Sequence, residues 1–214
     1  QYSYIPGQYS IFKNTHKLLP GHILTVTLKT KQQHISKYWD VFDFYNKPKI
    51  KLSDEEAIDQ TDLLLKKAYE YRMVADVPVG VFLSGGYDSS SVAAILQTNR
   101  TEKLKTFTIG FHENEFNEAP EAKKIAEHLG TDHTEWYLTA KEAGEVLPLI
   151  PEIYDEPFAD NSTVPTVLVS KLARKQVKVA LSADGGDEIF GGYNKFNLAE
   201  KFTRSIPIGL QIIL

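Results

Sequence analysis

The stretch Val79 to Ser91, VGVFLSGGYDSSS, constrains the fold of this chain more than any other feature of the sequence. It opens with an apolar run that ends at Leu83 and is too short for a helix, which favours a strand buried on both faces. Two adjacent glycines then allow a sharp turn and a close approach of the backbone to a ligand. Aspartate and serine residues begin the next helix, which we expect to reach Gln97. Free N–H groups and the positive end of that helix dipole would face the turn, so the sequence predicts a site for phosphate or pyrophosphate.

The predicted phosphate loop is not a Walker motif. No Gly-Lys-Ser or Gly-Lys-Thr closes it, and no lysine is placed to reach a γ-phosphate. The sequence therefore indicates a phosphate chemistry other than that of the P-loop enzymes. A strand-to-helix turn that merely uses glycine and serine is the alternative interpretation of these residues taken alone.

The rest of the chain alternates strand and helix signals. Predicted strands cover 107–111, 133–138 and 177–181. Two predicted helices cover 53–76, which begins with the capping box Ser53 and Glu56, and 118–129, which is ended by Gly130. Two more begin at the capping box Thr139 and Glu142 and at Ser162 or Thr163, the last reaching about Lys175. This alternation predicts an α/β fold, namely a parallel sheet with helices on both faces. Ligands of such sheets bind at the carboxyl ends of the strands, here at Leu83, Ile109 and Leu181.

Residues 1–45 differ from the remainder because aromatic and β-branched residues dominate them. The run from Ile23 to Leu28 is typical of a strand, and Pro6-Gly7 and Pro20-Gly21 interrupt the pattern. We interpret this part as a short β-rich segment, followed by a polar linker over 41–51. A β edge added to a single α/β domain is the alternative.

Composition limits the class of protein. The 214 residues include 42% hydrophobic and 24% charged residues, as is ordinary for a globular protein. The net charge of −4 provides no basic surface, so nucleic acid is not an expected partner. We find no apolar run near twenty residues and no signal-peptide pattern, so we expect no membrane association and a cytoplasmic location. The chain has no cysteine to act as a nucleophile, and its six histidines show no metal-ligand spacing.

A second motif follows the last predicted strand. Between Ser182 and Tyr193 the sequence contains four glycines and the carboxylates Asp184, Asp187 and Glu188. Magnesium prefers oxygen ligands, so an acidic loop bounded by glycine suits a magnesium–nucleotide complex. A solvated acidic turn is the alternative interpretation.

Three motifs together resemble those of the asparagine synthetases. SGGYDSS resembles the SGGxDSS pyrophosphate loop of the ATP pyrophosphatases, SADGGDEIFGGY is similar to the signature SGxGxDExFGGY, and DEPFADNSTVPT lies between them. On these motifs the chain is identified as a member of the glutamine-hydrolysing asparagine synthetase family, over essentially its whole length. The resemblance implies a Rossmann-like fold of the adenine nucleotide alpha hydrolase type. It also implies a ligase of amino-acid biosynthesis that amidates aspartate to asparagine through a β-aspartyl-AMP intermediate, with ammonia from glutamine.

The resemblance further implies a role for the residues of both motifs. The pyrophosphate would be held by Ser84, Gly85, Gly86, Ser89 and Ser90, and Mg²⁺ would be held by Asp88 and Asp187. The adenine and ribose would be lined by Leu83, Ile109 and Ala183, and the nucleotide would also be touched by Ser182. Asp184 takes the place of the family's carboxylate that supports adenylation and ammonia attack, so it is the expected catalytic residue. The expected cofactors are ATP and Mg²⁺, and the expected partners are ammonia and aspartate or another carboxylate. A homodimer of the full-length protein is compatible with the family.

The sequence departs from the family pattern in several places. Tyr87 stands where the family usually carries an aliphatic residue, and Ala183 and Asp184 replace the more frequent glycine and glutamate. The family's glutaminase nucleophile is an N-terminal cysteine, which this chain lacks. We therefore expect 1–45 to be the C-terminal remnant of a glutaminase domain of the N-terminal nucleophile type. Residues 46–214 would be a truncated synthetase domain that ends in an interrupted segment, 206–214, and such a fragment should be inactive alone.

Two other functions remain open on the sequence. One is a related amidotransferase that acts on another carboxylate, either a sugar acid of a polysaccharide pathway or a precursor closed to a β-lactam ring. The other is a non-catalytic nucleotide-binding module, against which the complete set of carboxylates in the two motifs argues.

Two loops are also open to more than one interpretation. Asp155, Glu156 and Asp160 precede a predicted helix, where carboxylates are most often solvated or capping groups. Residues 111–115 form either a flap over the nucleotide or, as we favour, a plain loop.

Overall fold

The computed structural model describes residues 3–98, 100–112 and 117–205, with only the backbone described at 204 and 205. The expected interrupted segment, 206–214, and residues 113–115 of the suggested flap lie outside the described residues.

The N-terminal part contains a small antiparallel sheet. Strands β1 (His22–Thr27) and β2 (Gln32–Lys37) form a hairpin in which Thr27 pairs with Gln32, which confirms the short β-rich segment. A five-residue helix, α1 (Val41–Tyr45), follows because the carboxylate of Asp40 accepts a hydrogen bond of 3.0 Å from the N–H of Phe42. The prediction of a linker is therefore wrong for residues 41–45.

Four parallel strands form the main sheet. They are β3 (Val79–Phe82), β4 (Lys105–Phe111), β5 (Asp132–Leu138) and β6 (Val179–Leu181). The strand order is β5-β4-β3-β6, so the chain runs outward from β3 to β5 and then returns to place β6 on the other side of β3. This confirms the predicted parallel sheet. The direction of winding reverses between β3 and β6, and such a switch point forms a crevice at the carboxyl ends of the strands.

Helices connect the strands. They are α2 (Asp54–Met73), α3 (Tyr87–Gln97), α4 (Ala119–Leu129), α5 (Ala140–Val146), α6 (Ile150–Ile153), α7 (Thr163–Ala173), α8 (Gly186–Phe190) and α9 (Asn194–Ser205). Both predicted capping boxes are present, and Gly130, with a φ of 71°, ends α4 as expected. Among the described residues, every helix is too short or too polar to cross a membrane.

Apolar side chains cover both faces of the sheet. On one face Val81 of β3 packs with Val92 of α3 and with residues of α4. On the other face Phe107 of β4 packs with Leu172 of α7. Because successive side chains of a strand point to opposite faces, these two clusters lie on opposite sides of the sheet. The predicted arrangement with helices on both faces is therefore confirmed.

Candidate nucleotide site

The loop between β3 and α3 is held in a tight turn that requires glycine. Gly85 has a φ of 90°, in the left-handed region that side chains disfavour. A Cβ atom at Gly85 would also lie 3.0 Å from the backbone nitrogen of Ala122 and 3.2 Å from the Cβ of Glu121. The turn therefore packs directly against the first residues of α4, which leaves no space for a side chain.

Hydroxyl groups close this loop from within. Ser89 is only 7% exposed, and its Oγ accepts a hydrogen bond of 3.1 Å from the N–H of Ser84 and lies 2.9 Å from the Oγ of Ser84. Ser90 donates its hydroxyl to the carbonyl of Gly86 at 2.7 Å. The buried hydroxyl of Thr108 on β4 donates to the carbonyl of Leu83. Hydrogen bonds within the chain therefore hold the loop in its shape.

The N-terminus of α3 faces this loop and is suited to an anion. Gly86 is the N-cap, and within the described part of the chain no side chain caps the helix. The first N–H groups of a helix have no acceptor inside the helix, and the helix dipole places partial positive charge on them. Asp88 in the first turn carries the opposite charge to these groups, so a bound phosphate would repel it unless a cation lay between them.

The loop after β6 carries the second motif and is more open. Gly185 has a φ of 93° and precedes the short helix α8. The Oγ of Ser182 donates to Oδ2 of Asp184 at 2.7 Å, and the hydroxyl of Tyr193 donates to Oε1 of Glu188 at 2.9 Å. The hydrogen bond to Glu188 raises the pKa of Tyr193, because ionising the phenol would remove the donated proton.

The two loops meet at the switch point of the sheet. A Cβ atom at Gly186 would lie 2.6 Å from Cγ of Asp88, so the carboxylate of Asp88 rests directly against the backbone of α8. Asp187 is turned differently, because its carboxylate lies against Gly192 at the other end of α8. The structure thus brings Asp88 of the first motif against Gly186 of the second, while the carboxylate of Asp187 lies against Gly192.

A metal ion would find only a partial coordination shell in the protein itself. Among the described residues, no group of three or more histidines, aspartates and glutamates is arranged to hold a metal. Magnesium is commonly bound through one or two carboxylates together with phosphate oxygens and water. Asp88, beside the open end of α3, fits this mode of binding.

Four expected site residues differ from the sequence interpretation. Leu83 is 1% exposed and belongs to the core between β3 and α3, so its side chain does not line an open surface. Ile109 is partly buried against the core on the opposite face, and Ala183 packs against the same core as Leu83. Ser89 also differs, because its hydroxyl is already engaged within the loop.

Two contributors to the site were missed by sequence reasoning. Thr108 fixes the end of β3 from the neighbouring strand, and a hydroxyl inside the apolar run of β4 was the available signal. Gly186 has no side chain and therefore leaves space for the carboxylate of Asp88. No local sequence pattern connects these two residues, because they follow different strands.

Comparisons with known proteins identify the family of this chain. Residues 60–210 match the family Asparagine synthase. The chain is 39% identical to the putative asparagine synthetase (glutamine-hydrolyzing) 2 of Methanocaldococcus jannaschii over 98% of its own length and 40% of the relative. It is 32% identical to asparagine synthetase (glutamine-hydrolyzing) 1 of Bacillus subtilis over 100% of its length and 33% of the relative.

Solved structures show more distant likeness. The glutamine-dependent NAD+ synthetase of Acinetobacter baumannii, in complex with ADP, is 19% identical with a TM-score of 0.44 over 79% of this chain and 31% of that one. The NH3-dependent NAD synthetase of Campylobacter jejuni is 12% identical with a TM-score of 0.44 over 64% of this chain and 60% of that one. Likeness at this level does not bear on function.

The fold and site together define an α/β protein with a parallel sheet and a glycine-rich, non-Walker loop at the carboxyl edge of that sheet. The family match and the identities to the curated relatives are more specific. The chain belongs to the asparagine synthase family, and it spans 40% and 33% of the length of the two relatives named here.

Proposed function

We propose that the protein containing this chain amidates the side-chain carboxylate of aspartate at the expense of ATP. A carboxylate oxygen of aspartate attacks the α-phosphorus of ATP, the bond to the β-phosphate oxygen breaks, and pyrophosphate leaves. Ammonia then attacks the acyl carbon of β-aspartyl-AMP, loses a proton, and displaces AMP to give asparagine. The ammonia would come from glutamine through a part of the protein outside these residues, and the reaction would take place in the cytoplasm.

The observation that carries this proposal is the meeting of the two motifs at the switch point. Asp88, beside a helix end suited to an anion, lies against Gly186 of the second motif, at the edge of the sheet where ligands of this fold bind. The absence of a Walker lysine favours cleavage between the α- and β-phosphates, because nothing in the loop reaches for a γ-phosphate. The relatives named asparagine synthetase support aspartate as the acceptor.

The residues of the first loop would bind the pyrophosphate part of ATP. The N–H groups of the first turn of α3 would face the phosphates, and Ser90 lies beside them. The N–H groups of Ser84 and Gly86 already donate to the hydroxyls of Ser89 and Ser84, so these two residues would act by shaping the loop around Gly85. Ser89 would act by holding Ser84 in place, because its hydroxyl is buried. The adenine and ribose would lie across the carboxyl ends of the strands near Ala183, Ser182 and the backbone of Leu83.

Magnesium would be held by Asp88, with Asp187 reaching it after a change of rotamer away from Gly192. When bound, the ion would neutralise charge on the leaving pyrophosphate. Asp184 would hold or accept a proton at its Oδ1, because its Oδ2 is occupied by the hydroxyl of Ser182. This leaves one oxygen free to face the ammonia or a bridging water.

The product pattern tests the proposal. The full-length protein, given ATP, magnesium, ammonia and aspartate, should release AMP and pyrophosphate in equal amounts, and it should do so only when aspartate is present. Release of ADP and phosphate would refute cleavage at the α-phosphorus. Equal release with another carboxylate, and none with aspartate, would keep the nucleotide chemistry and overturn the acceptor.

A further inference from the structure

The N-terminal segment of the chain is joined by hydrogen bonds to a loop far away in sequence. The ammonium group of Lys17 lies 2.8 Å from Oε2 of Glu156, and it also donates to the carbonyl of Ile5 at 2.6 Å. The N–H of Ile11 donates to the other oxygen of Glu156 at 3.3 Å. Glu156 therefore uses both carboxylate oxygens to bind residues about 140 positions earlier in the chain.

Two further observations show that this contact is well formed. The N–H of Ala159 donates to the carbonyl of Ser3 at 2.7 Å, so a second point of the same loop is tied to the segment 3–17. The carboxylate side chain of Glu156 is only 18% exposed. The hydrogen bond from Lys17 lowers the pKa of Glu156, which keeps it ionised.

The other end of this loop is fixed to the start of α7. The carbonyl of Asp160 accepts the hydroxyl of Thr163 at 2.8 Å, and its carboxylate accepts the N–H of Ser162 at 2.8 Å. Thr163 is 9% exposed and is the first residue of α7. A displacement at Glu156 is therefore transmitted over only a few residues to the first turn of this helix.

The start of α7 lies at the edge of the sheet that carries the site. Just after α7, the side chain of Gln176 accepts a hydrogen bond of 3.2 Å from Lys105, the first residue of β4. The end of α7 is thus at the edge where the strands begin. Its 11 residues rise about 16 Å, enough to cross the sheet, so its start lies at the carboxyl edge. Because α7 and α3 cover opposite faces, the loop 154–162 and the phosphate loop lie on opposite sides of that edge.

The geometry of phosphoryl transfer places the leaving group and the attacking group on different sides of this edge. Attack on a phosphorus atom proceeds in line, with the nucleophile opposite the leaving group. If pyrophosphate is held at the start of α3, the attacking carboxylate must approach from the side away from α3, which is the side of the loop 154–162. This step rests on the proposed function.

We infer that Glu156, held by Lys17, is a positioning residue that fixes the loop 154–162 as the wall of the acceptor side of the site. The segment 3–17 thereby forms part of the support for acceptor binding. Neither residue needs to touch the acceptor for this to hold.

The test uses the full-length protein with Lys17→Met, Glu156→Gln and the double variant. Lys105→Met is the matched control, because Lys105 lies 2.6 Å from Asp132, is 35% exposed against 38% for Lys17, and lies at the opposite edge of the sheet. Lys17→Arg tests rescue, since it keeps the charge. The readouts are the KM for the acceptor, the KM for ATP, and hydrogen exchange at the amides of 154–163.

We expect each single variant to raise the KM for the acceptor about tenfold or more, because small displacements of a positioning wall are costly, while the KM for ATP changes less than about twofold. The double variant should be no worse than the worse single variant, since both remove one interaction. Exchange should rise at Ala159 and at the start of α7, and Lys17→Arg should restore most of both values.

Two results would overturn the inference. One is unchanged exchange over 154–163 in a folded Lys17→Met variant. The other is an equal rise in acceptor KM with Lys105→Met, which would show a general loss of stability. Failure of the wild-type protein to use aspartate would count against the proposed function alone, because the exchange measurement needs no substrate and still decides the role of Glu156.

Discussion

The loops that follow β3 and β6 lie side by side and both begin a helix after a left-handed glycine, yet they are held very differently. The loop after β3 is tied by Ser84, Ser89 and Thr108, and the hydroxyls of Ser89 and Thr108 are buried. The side-chain hydrogen bonds described for the loop after β6, from Ser182 to Asp184 and from Tyr193 to Glu188, lie at the surface, and the helix that it begins, α8, has no buried residue.

Under the proposed function, the loop after β3 binds the phosphates and the loop after β6 takes part in the reaction steps. A loop that must wrap a phosphate gains from being rigid in advance, because little ordering is then lost on binding. A carboxylate that serves two successive steps, adenylation and amidation, must be able to adjust its position between them. Apart from Asp88, which we propose to hold magnesium, we therefore expect the residues of the first loop to respond to substitution through stability and those of the second loop through rate.

The largest effect should come from Asp88→Asn. This change removes the negative charge that would attract magnesium but preserves the shape of a half-buried side chain in the first turn of α3. Pyrophosphate release by the full-length protein should fall at least about 10³-fold, while circular dichroism and the unfolding midpoint stay close to those of the wild type. Full activity would remove Asp88 from the metal site, and an unfolded variant would mean that it serves the fold.

Asp184 tests the second loop with two substitutions. If one of its oxygens assists the reaction, Asp184→Asn should lower the rate of pyrophosphate release about 10²–10⁴-fold. Asp184→Glu should keep part of the activity, since Gly185 and Gly186 leave the loop free to adjust.

The competing explanation is that Asp184 only shapes the turn. Asparagine forms such turns equally well and could still accept the hydroxyl of Ser182. A nearly neutral Asn variant would therefore leave the catalytic role without support.

Gly186→Ala tests whether the two loops really meet. The new methyl group would occupy space within 2.6 Å of Cγ of Asp88, so that carboxylate must move away. The end of a side chain can give way at little cost, so we expect an unchanged unfolding midpoint and a loss of activity of about 10²-fold. Gly144→Ala in α5 is the control, because nothing lies within 4 Å of the added methyl group. Equal activity of both variants would show that the contact between Asp88 and α8 is not needed for activity.

The two left-handed glycines sharpen the comparison through stability. Gly85→Ala and Gly185→Ala both force alanine into the left-handed region, at about 1–2 kcal/mol each. Only at Gly85 does the new Cβ atom also press on the backbone of Ala122, which should add about 1–3 kcal/mol. Urea unfolding should therefore show a clearly larger loss for Gly85→Ala, and equal losses would contradict a rigid first loop.

Local patterns in the sequence were enough to predict the four strands of the main sheet and the two capping boxes. Each capping box, Ser53 with Glu56 and Thr139 with Glu142, lies within four consecutive residues. It can therefore be recognised without knowledge of any tertiary contact. The parallel order followed from the alternation of strand and helix.

The missed features all depend on which residues meet across the fold. The family resemblance implies that Leu83 lines the nucleotide, but its side chain shares a face with Val81 and that face is covered by α3. The contacts of Asp88 with Gly186 and of Lys17 with Glu156 join residues about 100 and 140 positions apart. No local periodicity encodes contacts of that range.

The smallest effect that still distinguishes the two loops comes from their serines. Ser89→Ala removes the acceptor of the N–H of Ser84 in a buried setting, and an unsatisfied buried group costs about 1–3 kcal/mol. Ser182→Ala removes a hydrogen bond to Asp184 between exposed side chains, so its effect on stability should stay within about 0.5 kcal/mol.

The rate constants should show the opposite order. Ser182 orients an oxygen of Asp184, so its loss should lower pyrophosphate release per folded molecule, whereas Ser89→Ala should act mainly through the KM for ATP. Urea unfolding and steady-state kinetics on the same two preparations of full-length protein provide both comparisons. If Ser182→Ala proved the more destabilising change, the acidic loop would be as firmly built as the phosphate loop, and the division between a rigid binding loop and an adjustable reacting loop would not hold.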